Sequence, residues 1–184
     1  MAVFVRPRLL AESVKTLYTK EQKATESKML PVLVENIPDE LKVRPQWVVW
    51  KAVGEKPEKV PYSARTKRKA SSTDLLTWST FEEVLEAYEA GGYAGIGFVF
   101  SSGDPYAGVD LDRCRDPQTG EIKRWASEVV NGLDSYTELS PSGKGLHIFV
   151  EGKIPKSLKR DQIEMYCTER FFTVTGHVVE VERD

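Results

Sequence analysis

From residue 47 to residue 181 the chain is a succession of short runs rich in β-branched and aromatic residues, most of them closed by glycine, proline or serine. Runs of four to eight residues suit strands, whereas a helix needs ten or more to bury a face. The runs lie at residues 47–53, 95–100, 106–112, 135–139, 146–150, 162–166, 171–175 and 178–181. Helical signals are fewer. Pro38 opens a short helix at Asp39-Glu40-Leu41, and Ser79-Thr80-Phe81-Glu82 has the capping-box pattern of a helix through Tyr88 and Glu89, stopped by Gly91-Gly92. Ile122, Trp125, Ala126, Val129 and Val130 recur at helical spacing up to Gly132. Many strands with a few helices predict an α+β sheet domain. The turn residues 101–105 predict a hairpin between 95–100 and 106–112.

At 184 residues the chain fits one core. Residues 1–35 show little sustained apolar periodicity and read as an appended arm, partly helical or flexible, before a compact domain over 36–184. A 40% hydrophobic and 29% charged composition is that of an ordinary globular protein. No apolar run approaches the roughly 20 residues of a membrane span, and the N-terminus lacks the apolar stretch of a signal peptide, so a cytoplasmic protein without a membrane partner is expected. Cys114 and Cys167 are too few for a disulfide framework or a four-thiolate zinc site; they read as core thiols, and no zinc is expected. The net charge of −2 hides a basic strip, Lys51, Lys56, Lys59, Arg65, Lys67, Arg68 and Lys69 against Glu55 and Glu58. This strip reads as a loop, either a phosphate-binding surface or a merely solvated one.

Three segments carry candidate chemistry. In Val109-Asp110-Leu111-Asp112 strand alternation sends Val109 and Leu111 to the core and both carboxylates to the other face. Adjacent carboxylates repel unless a cation neutralises them, and hard oxygens suit Mg²⁺ or Mn²⁺. Two such ions are able to activate an attacking hydroxyl and stabilise a leaving pyrophosphate. Alone, the pair is more often a solvated strand end with Arg113 and Arg115 as partners. In Ser140-Pro141-Ser142-Gly143-Lys144-Gly145-Leu146-His147 the glycines permit an anion-binding nest, to which Ser142, Lys144 and His147 add donors; a plain turn and a packed histidine are the alternative. The turn enters a strand, so it is no Walker A loop. In Gln162-Ile163-Glu164-Met165-Tyr166, Glu164 is a possible third acidic ligand, and the nearby Arg170 balances it or reaches a phosphate.

The order of an apolar-flanked DxD pair, a turn leading to a strand histidine, and an apolar residue followed by an acid resembles the archaeo-eukaryotic primase superfamily, specifically phage and plasmid primase-polymerases. The motifs here are Val109 to Asp112, Ser142 to His147, and Ile163-Glu164; further similarity lies in Pro45-Gln46-Trp47-Val48-Val49-Trp50, Val60-Pro61-Tyr62-Ser63, Ala70-Ser71, Thr77 to Phe81, and Arg170 to Gly176. The resemblance spans roughly residues 36 to 179. It implies mixed or antiparallel sheets with an RRM-like catalytic unit and flanking helices. It implies two metal ions, Mg²⁺ or Mn²⁺, on Asp110, Asp112 and Glu164. Ser142, Lys144, His147 and Arg170 are implied to hold the incoming NTP or dNTP, and Lys56, Lys59, Arg65, Lys67, Arg68 and Lys69 to contact a single-stranded or primed DNA template. The implied reaction is attack of a 3′-hydroxyl on the α-phosphate in phage or plasmid-type replication, in a prokaryotic cell or infected host. Tyr166, on the Glu164 face, is a candidate sugar-sensing residue. Two departures stand out: glutamate replaces the common aspartate of the third motif, and the sequence ends at Asp184, where relatives continue into a helical accessory domain and often a helicase. Weaker primer initiation is expected from the second. A non-catalytic nucleic-acid-binding module and a metal-dependent nuclease are the competing expectations.

Overall fold

A computed structural model describes residues 29–180 apart from residue 56. It is an α+β fold of two antiparallel sheets with few helices. In chain order the elements are α1 (Asp39–Lys42), β1 (Trp47–Val53), β2 (Glu58–Tyr62), α2 (Phe81–Glu89), β3 (Gly95–Phe100), β4 (Tyr106–Leu111), α3 (Arg124–Leu133), β5 (Thr137–Leu139), β6 (Leu146–Glu151), β7 (Leu158–Arg160), β8 (Ile163–Tyr166) and β9 (Arg170–Val174). Short 3-10 turns occupy Val34–Asn36 and Leu75–Thr77. The first sheet runs β2-β1-β3-β9 and the second β5-β6-β4-β8-β7.

Alternation sorts the faces. In the second sheet Val109, Leu111, Leu146, Ile148, Ile163 and Met165 pack with Ala126 and Val130 of α3. Its opposite face carries Gly108, Phe149 and Tyr166 on one rung. These meet Phe98, Phe100 and Phe172 of the first sheet in a core that also takes Trp47, Val49 and, from α2, Phe81 and Val84. Phe100 stands edge-on to Phe172, with ring centroids 5.0 Å apart. A Cβ at residue 108 would lie 2.5 Å from Phe172 Cε2 and 2.6 Å from Phe100 Cζ, so glycine is what lets the aromatic layer touch the β4 backbone.

Several sequence expectations need correction. β3 and β4 are not a hairpin, because they lie in different sheets. The buried Asp104 makes the corner: its carboxylate accepts from Ser101 N at 2.7 Å, Tyr106 N at 2.7 Å and Gln46 Nε2 at 2.8 Å, turning the chain out of one sheet and into the other. The basic segment is only partly loop, since Glu58–Tyr62 is an edge strand, the place in a sheet where Pro61 loses no needed hydrogen bond. The capping box is one residue further on, with Thr80 as N-cap and Glu83 as its reciprocal partner. β7 was unforeseen because Ser157-Leu158-Lys159-Arg160 lacks apolar alternation. Among the described residues 178–180 contribute a single bridge, Glu138 to Val178, in place of a strand; residues 181–184 lie outside the described residues. Cys114 is buried and donates to Leu111 O, and burial pushes its thiol up to about 11, whereas Cys167 is only half-buried.

The stretch read as an arm lies outside the described residues up to residue 28. From Leu30 the chain is tied down, Leu30 N donating to Pro141 O and Leu33 N to Thr175 O. Among the described residues no helix is long and apolar enough to cross a membrane.

Gly108→Ala forces its methyl into two packed rings and is expected to destabilise the fold by about 1–3 kcal/mol in urea unfolding. A change within about 0.5 kcal/mol, the range of an inert surface substitution, would show that the sheets do not meet there.

Candidate active site

Each strand of the second sheet places one charged or polar side chain on a single rung. Cross-strand pairing joins Glu138 to His147, His147 to Asp110, Asp110 to Glu164, and Glu164 to Lys159. Directly opposed residues share a face, so the five form a row one step along from the aromatic row of Phe149, Gly108 and Tyr166. Asp112 follows just beyond β4, exposed, its backbone N held by Gln162 O at 2.8 Å.

The sheet-to-sheet crevice in front of this row encloses about 650 Å³, lined among others by Lys59, Asp110, Lys159, Glu164, Tyr166 and Arg170. Ala70, Ser71 and Ser72 add a further wall. The acids differ in environment. Burial raises the pKa of Asp110; Asp112 and Glu164 push it the same way, and His147 and Lys59 oppose them. The Glu164 carboxyl is held below its usual range by a hydrogen bond from Lys159 and by the Tyr166 hydroxyl, which donates at 2.5 Å. Lys59 is exposed as a residue, yet its ammonium reaches Thr173 Oγ1 at 3.4 Å beside the crevice, where burial lowers its pKa against the pull of Asp110 and Asp112. The Arg170 guanidinium lies over the Tyr166 ring at 5.0 Å.

His147 is buried. Its Nδ1 donates to Thr173 O at 2.9 Å, which leaves Nε2 facing Asp110 Oδ1 at 3.8 Å. The turn before it is less open than the sequence suggested. Gly143 N donates to Ser140 O and Gly145 N to Ser140 Oγ, so these amides serve the turn itself and do not form a free anion nest. Gly143 takes a φ of +69°, but Gly145 is required for closeness, since a Cβ there would meet Leu111 O at 2.7 Å. Ser142 and Lys144 are exposed on this turn and are not among the side chains lining the crevice.

The basic strip divides. Lys59 joins the acids, while Arg65 and Lys67 line a separate cavity of about 620 Å³ with Lys51, Glu83 and Glu86, where Arg65 also pairs with Glu83 at 3.7 Å. Arg68 and Lys69 are exposed beside the 70–72 wall, and Lys56 lies outside the described residues. Sequence reasoning missed Glu138 and Lys159. Neither sits in a recognisable motif; only strand pairing brings them into the row.

Among the described residues no three His, Cys, Asp or Glu side chains converge as a ready-made metal cage. Glu164 is engaged by Lys159 and Tyr166, and Asp112 stands at the exposed end. The donor set nevertheless fits a hard divalent cation: a buried carboxylate whose ionised form is disfavoured by its burial and by two neighbouring acids is relieved by positive charge.

Asp110 and Glu164, with Asp112 beyond them, thus meet the cations Lys59, Lys159 and Arg170 in a crevice between two sheets. The chain is 38% identical over 146 residues to the DNA primase-polymerase of Nitratiruptor phage NrS-1, an alignment covering 76% of this chain and 20% of that protein. No family model matches. Over most of its length the chain is thus similar to a phage DNA primase-polymerase, and it spans about a fifth of the length of that curated relative.

Asp110 has a folded pKa above its unfolded one, so its ionisation costs stability as pH rises through the unfolded value. At pH 7 without added metal, Asp110→Asn is expected to melt above the wild type by calorimetry. A lower melting temperature would mean that His147 and Lys59 outweigh burial and repulsion.

Proposed function

We propose that this chain is a template-directed nucleotidyltransferase, a DNA polymerase or primase that adds nucleotides to a 3′-hydroxyl using divalent metal. The observation that carries this reading is the rung placing Asp110 beside Glu164, with Asp112 beyond and Lys59, Lys159 and Arg170 around them. A nucleic-acid-binding module has no use for clustered acids facing phosphate. The second sheet serves as the RRM-like unit: the order β8-β4-β6-β5, with α3 crossing from β4 to β5, supports this, β7 standing where a second helix is usual.

Asp110, Asp112 and Glu164 would hold Mg²⁺ or Mn²⁺, Glu164 being paired with Lys159 in this structure. Such cations would supply activation of the attacking 3′-hydroxyl and neutralisation of the leaving pyrophosphate. The protein's own share is positioning. Lys59, Arg170 and Lys159 receive the triphosphate, and His147 keeps Nε2 turned toward Asp110 at the inner end of the row. Ser142 and Lys144 approach from the rim, where the turn abuts Asp112 through Gly145. Arg68 and Lys69, beside the 70–72 wall, take the template backbone. The aromatic layer behind the row excludes water, so each charge acts in a lower effective dielectric. Tyr166, anchored to Glu164, faces the position of the sugar.

With Mn²⁺ or Mg²⁺, primed template and nucleotides, the full chain is expected to extend the primer, and the Asp110→Ala, Asp112→Ala double variant to fall at least about a thousandfold. Equal activity in that variant would remove the metal-site assignment. Shortening of DNA without nucleotides would make the chain a nuclease, and salt-sensitive binding alone an accessory module. In the same assay Lys159→Ala is expected to raise the nucleotide KM about tenfold, the worth of one charge-assisted hydrogen bond. An unchanged KM would leave Lys159 as a surface charge.

A further inference from the structure

Glu138 is a carboxylate with no exposed surface, at the β5 end of the charged row and outside every role given above. Taking an ionisable group out of water is costly unless its oxygens are satisfied. Here they are. Oε1 accepts from Thr175 N at 3.0 Å, and Oε2 accepts from Gly176 N at 2.8 Å and from the Tyr136 hydroxyl at 2.8 Å. Thr175 and Gly176 continue from β9 of the first sheet, so one side chain of the second sheet grips the end of a strand in the other.

The same strand end supplies the partner of His147. Nδ1 donates to Thr173 O, two residues before the first amide that Glu138 holds, and Oε1 itself lies 3.9 Å from Nδ1. Phe172 covers the imidazole, its ring centroid 5.0 Å away. The ring is thus fixed from three sides: a carbonyl on Nδ1, an aromatic face, and a carboxylate that both tethers the carbonyl's strand and sits beside the Nδ1 proton. An apolar residue would complete the core without this anchoring. A merely structural staple needs no carboxylate beside the imidazole.

We propose that Glu138 is a positioning residue that locks His147 with its proton on Nδ1 and Nε2 turned toward Asp110. Its consequence for nucleotide handling rests on the nucleotidyltransferase reading; the orientation of the ring does not.

The chain has two histidines, so in the His177→Asn background the ring of His147 gives the sole histidine signals in an ¹H–¹⁵N spectrum of the full chain. An exchange-protected Nδ1 proton is expected there, and Glu138→Gln is expected to abolish its protection while backbone amides far from the row keep their positions. If Glu138→Gln does not fold, Tyr136→Phe, which removes only the hydroxyl that donates to Glu138, is expected to shift the ring signals in the same direction and less far. Unchanged ring signals in whichever variant folds would overturn the proposal. In primer extension Glu138→Gln is expected to raise the nucleotide KM about tenfold, as loss of a histidine's supporting carboxylate does elsewhere, with kcat altered less than about threefold. The increase should vanish in a His147→Asn background; losses that simply add would make Glu138 a staple and contradict the proposal. Should the wild-type chain extend no primer, the spectra still decide the orientation, and the failure belongs to the catalytic reading.

Discussion

The contact of Phe100 and Phe172 with the bare backbone of Gly108 sets the geometry of everything beside it. Two antiparallel sheets are held face to face by an aromatic layer, and only a residue without a Cβ lets those rings reach the central strand of the second sheet. The next rung on the same face carries Asp110, His147 and Glu164. The depth of the aromatic contact therefore determines how far Asp110 is withdrawn from water, and how wide a crevice opens between its row and Lys59 of the first sheet. Hydrophobic packing and site electrostatics are here consequences of one missing methyl group.

The row itself is a balance of opposed charges. Asp110 is destabilised by burial and by its acidic neighbours, while Glu164 is satisfied by Lys159 and Tyr166. The proposed cation would relieve the first acid, while the second is already neutralised by its partners. Lys159, mostly exposed on a short edge strand, is free to leave at little cost, because an ion pair with one solvated partner is weak. Local frustration of this kind is expected where a fold serves function over stability.

Much of this was legible in the sequence because it follows from strand alternation. Val109-Asp110-Leu111 announces one buried and one polar face, β1 spans the expected Trp47–Val53, and α3 follows the apolar spacing through Val130. What escaped depends on long-range pairing. Nothing local says that Asp104 turns the chain between sheets, since its three bonds include one to Gln46, fifty-eight residues away. Glu138 and Lys159 gain meaning only from lying opposite His147 and Glu164. The nest expected at Gly143 and Gly145 failed for a reason of satisfaction: Ser140 takes both amides. The basic strip split because β2 is a strand, and alternation along it puts Lys59 with Pro61 on the crevice side while the cations after Tyr62 follow a turn.

The central claim is that the acidic row is where divalent metal binds. Paramagnetic broadening by substoichiometric Mn²⁺ in ¹H–¹⁵N spectra of the full chain tests it directly. The account expects amides of residues 109–112 and 163–165 to broaden first, with those around Glu83 and Glu86 in the other cavity unaffected at the same concentration. Broadening centred on α2, or spread evenly over exposed carboxylates, would contradict it.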